Sequence, residues 1–204
     1  IANGTEEGIH TLYISPLKAL AVDIARNLET PVKEMGLDIR IETRTGDTPQ
    51  SRRSRIRTRP PHILLTTPES LELMLSWPDA ATLFSSLRSV IIDEIHTVLG
   101  SKRGDLLSLS LATVRSLAPE SQSIGLSATV ADAHQLTPLL SSRPDEVIVF
   151  APPLEKTIKL SVMTTDDDTL PWAGHSALYA MPRIYELLKH NNTTLVFVNT
   201  RAQA

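Results

Sequence analysis

Short apolar runs alternate along this chain with longer segments whose apolar residues recur at helical spacing. The predicted strands cover residues 11–14, 38–43, 63–66, 89–93 and 123–126. The predicted helices cover residues 17–35, 50–58, 68–75, 105–117 and 132–140. Parallel strands need a crossover between them, and a helix is the usual one, so this alternation is typical of an α/β fold. We therefore expect a parallel sheet with helices on both faces.

The pattern changes after Phe150, where Pro152 and Pro153 follow. We predict a first domain over residues 1–150, and a linker with the beginning of a second domain over residues 151–204. The predicted elements of the second part are a strand over 157–163, a helix over 176–189 and a strand over 194–198.

Composition narrows the functional classes. Of the 204 residues, 41% are hydrophobic and 21% are charged, which provides enough apolar material for a packed core. The absence of cysteine excludes disulfides, thiolate zinc sites and thiol catalysis, and it fits a cytoplasmic protein. No apolar run approaches the roughly 18 residues of a membrane-spanning helix. The net charge of −3 argues against indiscriminate binding of polyanions, which depends on lysine and arginine.

The most informative segment is the apolar run Val90–Ile92, which ends in two carboxylates and a nearby imidazole, Asp93, Glu94 and His96. Ligands of open α/β sheets bind beyond the carboxyl ends of the strands, so these side chains lie where chemistry usually occurs. An aspartate there can hold Mg²⁺, directly or through water, and a neighbouring glutamate can orient and deprotonate an attacking water. A surface turn whose acidic pair caps the next helix is the structural alternative.

A second polar cluster, Ser127 and Thr129, follows the predicted strand over 123–126. These hydroxyl groups can donate to the carboxylates that follow the preceding strand, or accept from His96. Either contact would link the ends of two strands. An ordinary helix N-cap cluster is the alternative.

Two of the predicted strands are followed by a hydroxyl residue and a proline. Ser15 and Pro16 follow the first strand, and Thr67 and Pro68 follow the third. Proline is favoured at the first helical position, where free N–H groups and the helix dipole attract anions. Lys18 adds a cation beside the first of these helix starts. Two such starts on one sheet edge suit the phosphates of a nucleic acid, although α/β folds commonly begin helices in this way.

Five arginines lie close together after the second predicted strand: Arg52, Arg53, Arg55, Arg57 and Arg59. They can form a cationic arm that contacts phosphates, or they can cover the polar surface of a solvated helix. We favour the solvated helix, since no aromatic residue lies nearby in the sequence for base stacking.

Several segments occur in the order found in one known family. Ser15–Ala21 is similar to helicase motif Ia, Thr45–Thr48 to motif Ib, Thr66–Leu71 to motif Ic, Asp93–His96 to motif II, Ser127–Thr129 to motif III and Thr194–Arg201 to motif IV. Gly100–Leu106 and Leu170–His175 add group-specific matches. The chain resembles superfamily 2 helicases with a DExH box, and most closely the large helicase-related (Lhr) group of bacterial DNA helicases. The resemblance covers nearly the whole chain.

The resemblance implies an incomplete RecA-like, P-loop NTPase helicase core followed by the start of a second RecA-like domain. It implies ATP and Mg²⁺ as cofactors, 3′ to 5′ movement on single-stranded DNA, unwinding of DNA or RNA:DNA duplexes, and a role in DNA repair. By the same resemblance, Asp93 would bind Mg²⁺ through water and Glu94 would activate the attacking water. The residues that would couple hydrolysis to domain closure are His96, Ser127 and Thr129. The residues that would hold the tracking strand are Ser15, Pro16, Lys18, Thr45, Gly46, Thr67, Pro68, Thr200 and Arg201.

No glycine-rich phosphate loop ending in Lys-Thr or Lys-Ser occurs, since the eight glycines are scattered. The chain also begins at Ile1 and stops soon after Arg201. We therefore expect a fragment without motifs I, V and VI, whose partner is the rest of the helicase chain. It is expected not to hydrolyse ATP alone, whereas the intact parent should. Two alternatives remain open, an RNA helicase of the same superfamily and a non-catalytic nucleic-acid-binding module.

Overall fold

The computed structural model describes residues 8–128, 132–151, 159–162 and 176–198. The chain divides into two compact units between Ala151 and Pro152. Each unit is described by itself.

The first unit contains one sheet of five strands. The strands are β1 (Thr11–Ile14), β2 (Ile41–Arg44), β3 (Ile63–Thr66), β4 (Ser89–Ile92) and β5 (Gln122–Gly125). Their order is β2-β3-β1-β4-β5, and every neighbouring pair is parallel. Ile14 at the end of β1 is paired with Thr66 on one side and Ile92 on the other. All five strands therefore end along one line, which we call the carboxyl edge.

Helices cover both faces of this sheet, as predicted. The helices of the first unit are α1 (Lys18–Glu34), α2 (Gln50–Thr58), α3 (Pro68–Leu75), α4 (Ala80–Phe84), α5 (Lys102–Leu117) and α6 (Thr137–Leu140). The larger core lies on the face covered by α3, α4 and α5, where β1 contributes Leu12 and Ile14. On the opposite face, Ala21 and Ala25 of α1 pack against Leu65. Each fully buried aliphatic side chain of this kind stabilises the fold by about 1.5–3 kcal/mol.

Several element boundaries differ from the prediction; helix α5, for example, begins at Lys102 and not at residue 105. Helix α1 begins at Lys18, one residue after the predicted start at 17 and two after Pro16, because the Ser15 hydroxyl engages the backbone N–H and carbonyl of Leu17 and holds a turn there. Strand β2 begins at Ile41 and not at residue 38, since the backbone N–H of Arg40 donates to a histidine ring and not to a strand. Residues 132–140 were predicted as one helix. They form the 3₁₀ turn Ala133–Leu136, which is followed by the short helix α6.

The second unit contains α7 (Ser176–Lys189), which confirms the predicted helix. The prediction of a strand over 194–198 is wrong, because these residues are described and none of them is in a strand. A strand requires a neighbour to complete its backbone hydrogen bonds, and none pairs with this segment within the described residues. Most of the predicted strand over 157–163 lies outside the described residues, and 159–162 form no strand. Within the described residues, no helix combines the length and the apolar character that crossing a membrane requires.

A buried histidine lies at the opposite end of the sheet from the carboxyl edge. His62 is only 2% exposed, and its Nδ1 accepts a hydrogen bond of 3.2 Å from the backbone N–H of Arg40. Its Nε2 is buried without a hydrogen-bond partner among the described residues. Burial, assisted by the positive charge of Arg40, lowers the pKa of His62 from its usual 6.5. The folded chain therefore disfavours protonation of this ring.

We expect the free energy of unfolding to fall as the pH is lowered from about 7 to 5, because the unfolded chain then binds a proton that the folded His62 does not. The contribution of the neutral His62 to the free energy of unfolding is fully present above the usual pKa of 6.5 and is lost as the pH falls below it. This residue contributes at most about 1.4 kcal/mol per pH unit. Chemical denaturation across this range should show a shallower pH dependence for His62→Gln, which keeps an acceptor. The exposed His134→Gln is the control, and equal slopes for all three chains would contradict the prediction.

Candidate functional site

The acidic turn begins where β4 ends. The backbone N–H of Asp93 donates to the carbonyl of Ile14 at 2.9 Å, and its Oδ1 accepts from the backbone N–H of Glu94 at 2.9 Å. Glu94 has a φ of 47° and a ψ of 40°, in the left-handed region, and it is the only such non-glycine in the described residues. That conformation costs roughly 1–3 kcal/mol and concentrates at functional sites. The two carboxylates are therefore held in a specific turn at the carboxyl edge.

Tyr13 supports Asp93 from the neighbouring strand β1. Burial is the main cause that raises the pKa of Tyr13, and a hydrogen bond with Asp93 and the two nearby carboxylates add to it. Tyr13 therefore remains a neutral phenol that donates to the Asp93 carboxylate. Tyr13 is not among the residues predicted from the sequence. Its signal is the alternation of β1, which turns Tyr13 to the opposite face from Leu12 and Ile14.

His96 lies between the acidic turn and the end of β5. Its Nδ1 is 3.3 Å from Oε2 of Glu94 and 2.8 Å from Oγ of Ser127. The side chains of Glu94 and His96 are 36% and 28% exposed, so the contact is partly screened from water. A proton on Nδ1 can be donated to either acceptor. The two polar clusters that the sequence predicted are thus in direct contact through His96.

The backbone ladder of β4 and β5 places Ser127 at this position. Beyond the strand ends, the N–H of Leu126 donates to the carbonyl of Ile92 at 2.8 Å, and the N–H of Ile95 donates to the carbonyl of Leu126 at 3.0 Å. These bonds keep the two chain segments in register past the sheet. Thr129 lies outside the described residues, as do Thr200 and Arg201.

Asp93 has the surroundings of a site for a hydrated cation. Its hydrogen-bond partners in the described residues are neutral, namely the Tyr13 hydroxyl and the Glu94 amide, and no lysine or arginine of this part of the chain forms an ion pair with it. The described residues contain no cluster of three or more His, Cys, Asp or Glu that could hold a metal by themselves. Mg²⁺ is commonly bound by one or two carboxylates together with waters and substrate phosphates. The single carboxylate fits that mode.

Four of the seven predicted strand-binding residues that the structure describes are buried beneath the carboxyl edge. Ser15, Thr45 and Thr67 are 0%, 6% and 3% exposed, and Pro68 is also buried. The hydroxyl groups of the serine and threonines form hydrogen bonds within the protein. For example, Thr67 Oγ1 donates to Ser70 Oγ at 3.2 Å. These residues therefore shape the edge, and only their backbone groups and exposed neighbours can meet a ligand.

Among the described members of the predicted strand-binding set, Lys18 and Gly46 are exposed. Lys18 Nζ is 2.9 and 3.0 Å from the two carboxylate oxygens of Asp47, in a pair whose side chains are 53% and 77% exposed. A Cβ on Gly46 would lie 3.3 Å from Lys18 Nζ, so a side chain there would crowd the ammonium group. Lys18 and Asp47 line a shallow groove together with Thr48. An exposed ion pair of this kind is weak and open to competition by another anion.

A buried arginine lies directly under the same edge. Arg44 is 3% exposed, and its Nη1 donates to the carbonyl of Thr45 at 2.9 Å and to Ser70 Oγ at 3.4 Å. Burial, and then the nearby Arg53, lower the pKa of Arg44. Its hydrogen-bond partners in the described chain are neutral. Arg44 is not among the residues predicted from the sequence, and its signal there is its position at the end of a strand and immediately before Thr45.

The arginine cluster is mostly engaged in contacts within the protein. Arg52 and Arg55 both pair with Glu42, and Arg57 pairs with Asp79 at 2.8 and 3.0 Å. Arg53 donates to the carbonyls of Thr48 and Gly46, both at 2.7 Å. Arg57 also lies over the ring of Trp77, 5.2 Å from its centroid, an aromatic contact that the local sequence did not reveal. These contacts favour the solvated-helix interpretation.

Comparison with known proteins identifies the family of this chain. The profile of the DEAD/DEAH box helicase family matches residues 1–136. The chain belongs to this family. It is 40% identical to the Lhr helicase/probable uracil glycosylase of Mycolicibacterium smegmatis over 100% of this chain and 14% of that protein. It is 39% identical to the ATP-dependent helicase Lhr-Core of Methanothermobacter thermautotrophicus over 97% of this chain and 24% of that protein. The chain thus spans less than a quarter of these relatives, and its resemblance to Lhr helicases is confirmed.

Solved structures of helicases are also similar to this chain. The structure of Mycobacterium smegmatis helicase Lhr bound to ssDNA and AMP-PNP superposes with a TM-score of 0.76 and 39% identity, over 96% of this chain and 27% of that one. The helicase MrfA bound to DNA and AMPPNP gives 0.57 and 32%, over 65% of this chain and 19% of that one. The DEAD-box helicase Mss116 gives 0.56 at 18% identity over 63% and 28%, which supports the fold alone. The RecA-like fold that the sequence predicted is confirmed.

The segment after the acidic turn is packed without space for an extra carbon atom. Ser101 is the N-cap of α5, where its Oγ accepts from the N–H of Gly104 at 3.1 Å and donates to the carbonyl of Val98 at 2.8 Å. A Cβ on Gly104 would lie 2.1 Å from that same carbonyl oxygen. Val98 ends the 3₁₀ turn Ile95–Val98 that contains His96. Gly104 therefore permits α5 to contact the turn directly.

We expect Gly104→Ala to lower the free energy of unfolding by about 1–3 kcal/mol, because the added methyl group meets backbone atoms that cannot move aside alone. Alanine favours helix by about 1 kcal/mol over glycine, so any net loss reports the clash. Ser108→Ala, at an exposed position of the same helix, is the control and should change stability by less than about 0.5 kcal/mol. Urea denaturation measures both. A Gly104→Ala chain as stable as the unsubstituted one would contradict the tight contact.

Proposed function

We propose that this chain is the part of an ATP-dependent DNA helicase that positions the hydrolytic water and forms part of the DNA track. The intact parent would couple ATP hydrolysis to 3′ to 5′ movement on single-stranded DNA and to unwinding of DNA or RNA:DNA duplexes. The observation that carries the proposal is the contact of Glu94, His96 and Ser127 at the carboxyl edge, between the ends of β4 and β5. Membership of the DEAD/DEAH box helicase family supports it.

In the proposed mechanism, the two carboxylates have different tasks. Asp93, oriented by the Tyr13 hydroxyl and the Glu94 amide, would hold the hydrated Mg²⁺ that accompanies ATP and neutralises phosphate charge. Glu94 would orient the attacking water and accept its proton, since it follows the end of β4 at the carboxyl edge and its carboxylate lies 3.3 Å from His96 Nδ1. The phosphates themselves would be bound mainly by the rest of the parent.

His96 and Ser127 would couple the protonation or position of Glu94 to the rest of the helicase. Protonation of Glu94, or a shift of its side chain, changes what His96 Nδ1 can donate to, and Ser127 offers the alternative acceptor. Such an exchange moves the end of β5 relative to the acidic turn. We propose that Thr129 continues this connection.

DNA would bind along the other strand ends of the same edge. Backbone N–H groups around Thr45, Gly46 and Thr67 are the proposed phosphate contacts, together with the ammonium of Lys18 once a phosphate displaces Asp47. The buried charge of Arg44, which has only neutral hydrogen-bond partners, adds positive potential under these groups. Ser15, Pro16 and Pro68 would shape the same surface, and Thr200 and Arg201 are the proposed contacts from the second unit.

Replacing Glu94 by Gln in the full-length parent should lower ATP turnover by about 10²–10⁴-fold, because an amide cannot accept the proton of the attacking water. Binding of single-stranded DNA should remain largely intact, since the substitution keeps the size of the side chain and Glu94 is not among the proposed DNA contacts. Steady-state ATPase assays and fluorescence anisotropy measure the two properties. Glu29→Gln, on the exposed surface of α1, is the control with unchanged turnover.

Two outcomes would contradict the assignment. Normal turnover by Glu94→Gln would remove this residue from the proposed role. The second is ATP turnover by the parent that is stimulated by RNA strands but not by DNA strands of the same sequence. That result would indicate RNA and not DNA as the track, because only recognition of the 2′-hydroxyl distinguishes the two backbones.

A further inference from the structure

A bidentate ion pair joins the first turns of α3 and α5. Arg103 Nε is 2.5 Å from Glu69 Oε1, and Nη2 is 3.1 Å from Oε2. The side chains are 36% and 54% exposed. Burial alone would raise the pKa of Glu69, but the hydrogen bond from Arg103 and one from the backbone N–H of Glu69 itself lower it overall. The pair is therefore charged on both sides at neutral pH.

The ion pair belongs to a longer contact between the two helices. Helices α3 and α5 pack against each other. Further along the same contact, Ser110 Oγ donates to Glu72 Oε2 at 2.7 Å. Leu71 of α3 and Leu107 of α5 are both fully buried in the core beneath these polar contacts. The two helices therefore form one packed unit, and the ion pair joins their first turns.

The two ends of the pair lie beside different parts of the proposed machinery. Glu69 follows Thr67 and Pro68 in the first turn of α3, where the proposed DNA track passes. Arg103 precedes Gly104, whose backbone lies against the carbonyl of Val98 at the end of the turn that contains His96. A displacement of the first turn of α3 would thus reach the hydrolytic turn through a short series of direct contacts.

We infer that the Glu69–Arg103 pair is a positioning link through which binding of the nucleic-acid strand stimulates ATP hydrolysis. This inference rests on the proposed function. An exposed ion pair adds little to stability, so its bidentate geometry is better explained by alignment than by stabilisation. Both residues act through their neighbours and touch neither ATP nor the strand. Coupling between two sites of this kind typically corresponds to a 5- to 150-fold change in affinity.

The test uses the full-length parent and measures the ratio of DNA-stimulated to basal ATP turnover. Glu69→Arg and Arg103→Glu should each lower this ratio by at least about fivefold, because like charges then face each other. The double variant, which restores opposite charges in swapped positions, should recover at least half of the stimulation. Arg103→Lys, which keeps the charge but loses the planar fork, should give an intermediate ratio. A purely structural role would change stability and basal turnover but not the ratio.

The Arg57–Asp79 pair provides a matched control. It is also bidentate, at 2.8 and 3.0 Å, with side chains 44% and 41% exposed, but it joins α2 to the residue before α4. Arg57→Glu should leave the ratio unchanged. Two results would overturn this inference but not the proposed function. One is an unaltered ratio in both single variants at positions 69 and 103, and the other is a double variant whose ratio shows the combined losses of the two. A parent without DNA-stimulated turnover would overturn the proposed function and this inference with it.

Discussion

The common register of the parallel strands is the constraint on which the rest of the site depends. Because Ile14 is paired with both Thr66 and Ile92, three strands end at the same level, and β2 and β5 extend this line on either side. Every residue that follows a strand is thereby brought to one edge, although the corresponding positions are far apart in the sequence. A slip of one residue in β4 would turn Asp93 to the other face of the sheet and separate the acidic turn from Ser127.

The edge is held rigid by polar groups that are buried beneath it. Thr66 Oγ1 donates to the carbonyl of Arg44 at 2.7 Å, and Thr45 N–H donates to Thr48 Oγ1 at 2.9 Å. Such buried hydrogen bonds each contribute about 1 kcal/mol, and loss of one partner costs more than that. Their larger effect is to fix the backbone N–H groups that follow each strand. A preorganised edge of this kind would bind the proposed extended anionic strand with little ordering cost.

The sequence predicted the features that depend on neighbouring residues. The strand Val90–Ile92 and the adjacent Asp93 and Glu94 formed one local pattern, and the structure places them as that pattern indicated. The contact between His96 and Ser127 was also predictable, because both follow adjacent strands of one parallel sheet.

Features that depend on distant residues could not be predicted in this way. Nothing in the local sequence around Arg103 shows that Glu69, 34 residues earlier, is its partner. The start of α1 at Lys18 depended on one side-chain contact of Ser15, which outweighed the preference of proline for the first helical turn. The predicted strand over 194–198 failed because strand formation depends on a partner strand, which its composition cannot show.

The most direct measurement is a structure of the intact parent with a non-hydrolysable ATP analogue, Mg²⁺ and single-stranded DNA. The account predicts that Asp93 and Glu94 face the metal and the terminal phosphate, while DNA phosphates lie along the backbone at Thr45–Gly46 and Thr67–Pro68. Nucleotide bound away from the acidic turn, or DNA bound away from this edge of the sheet, would contradict it.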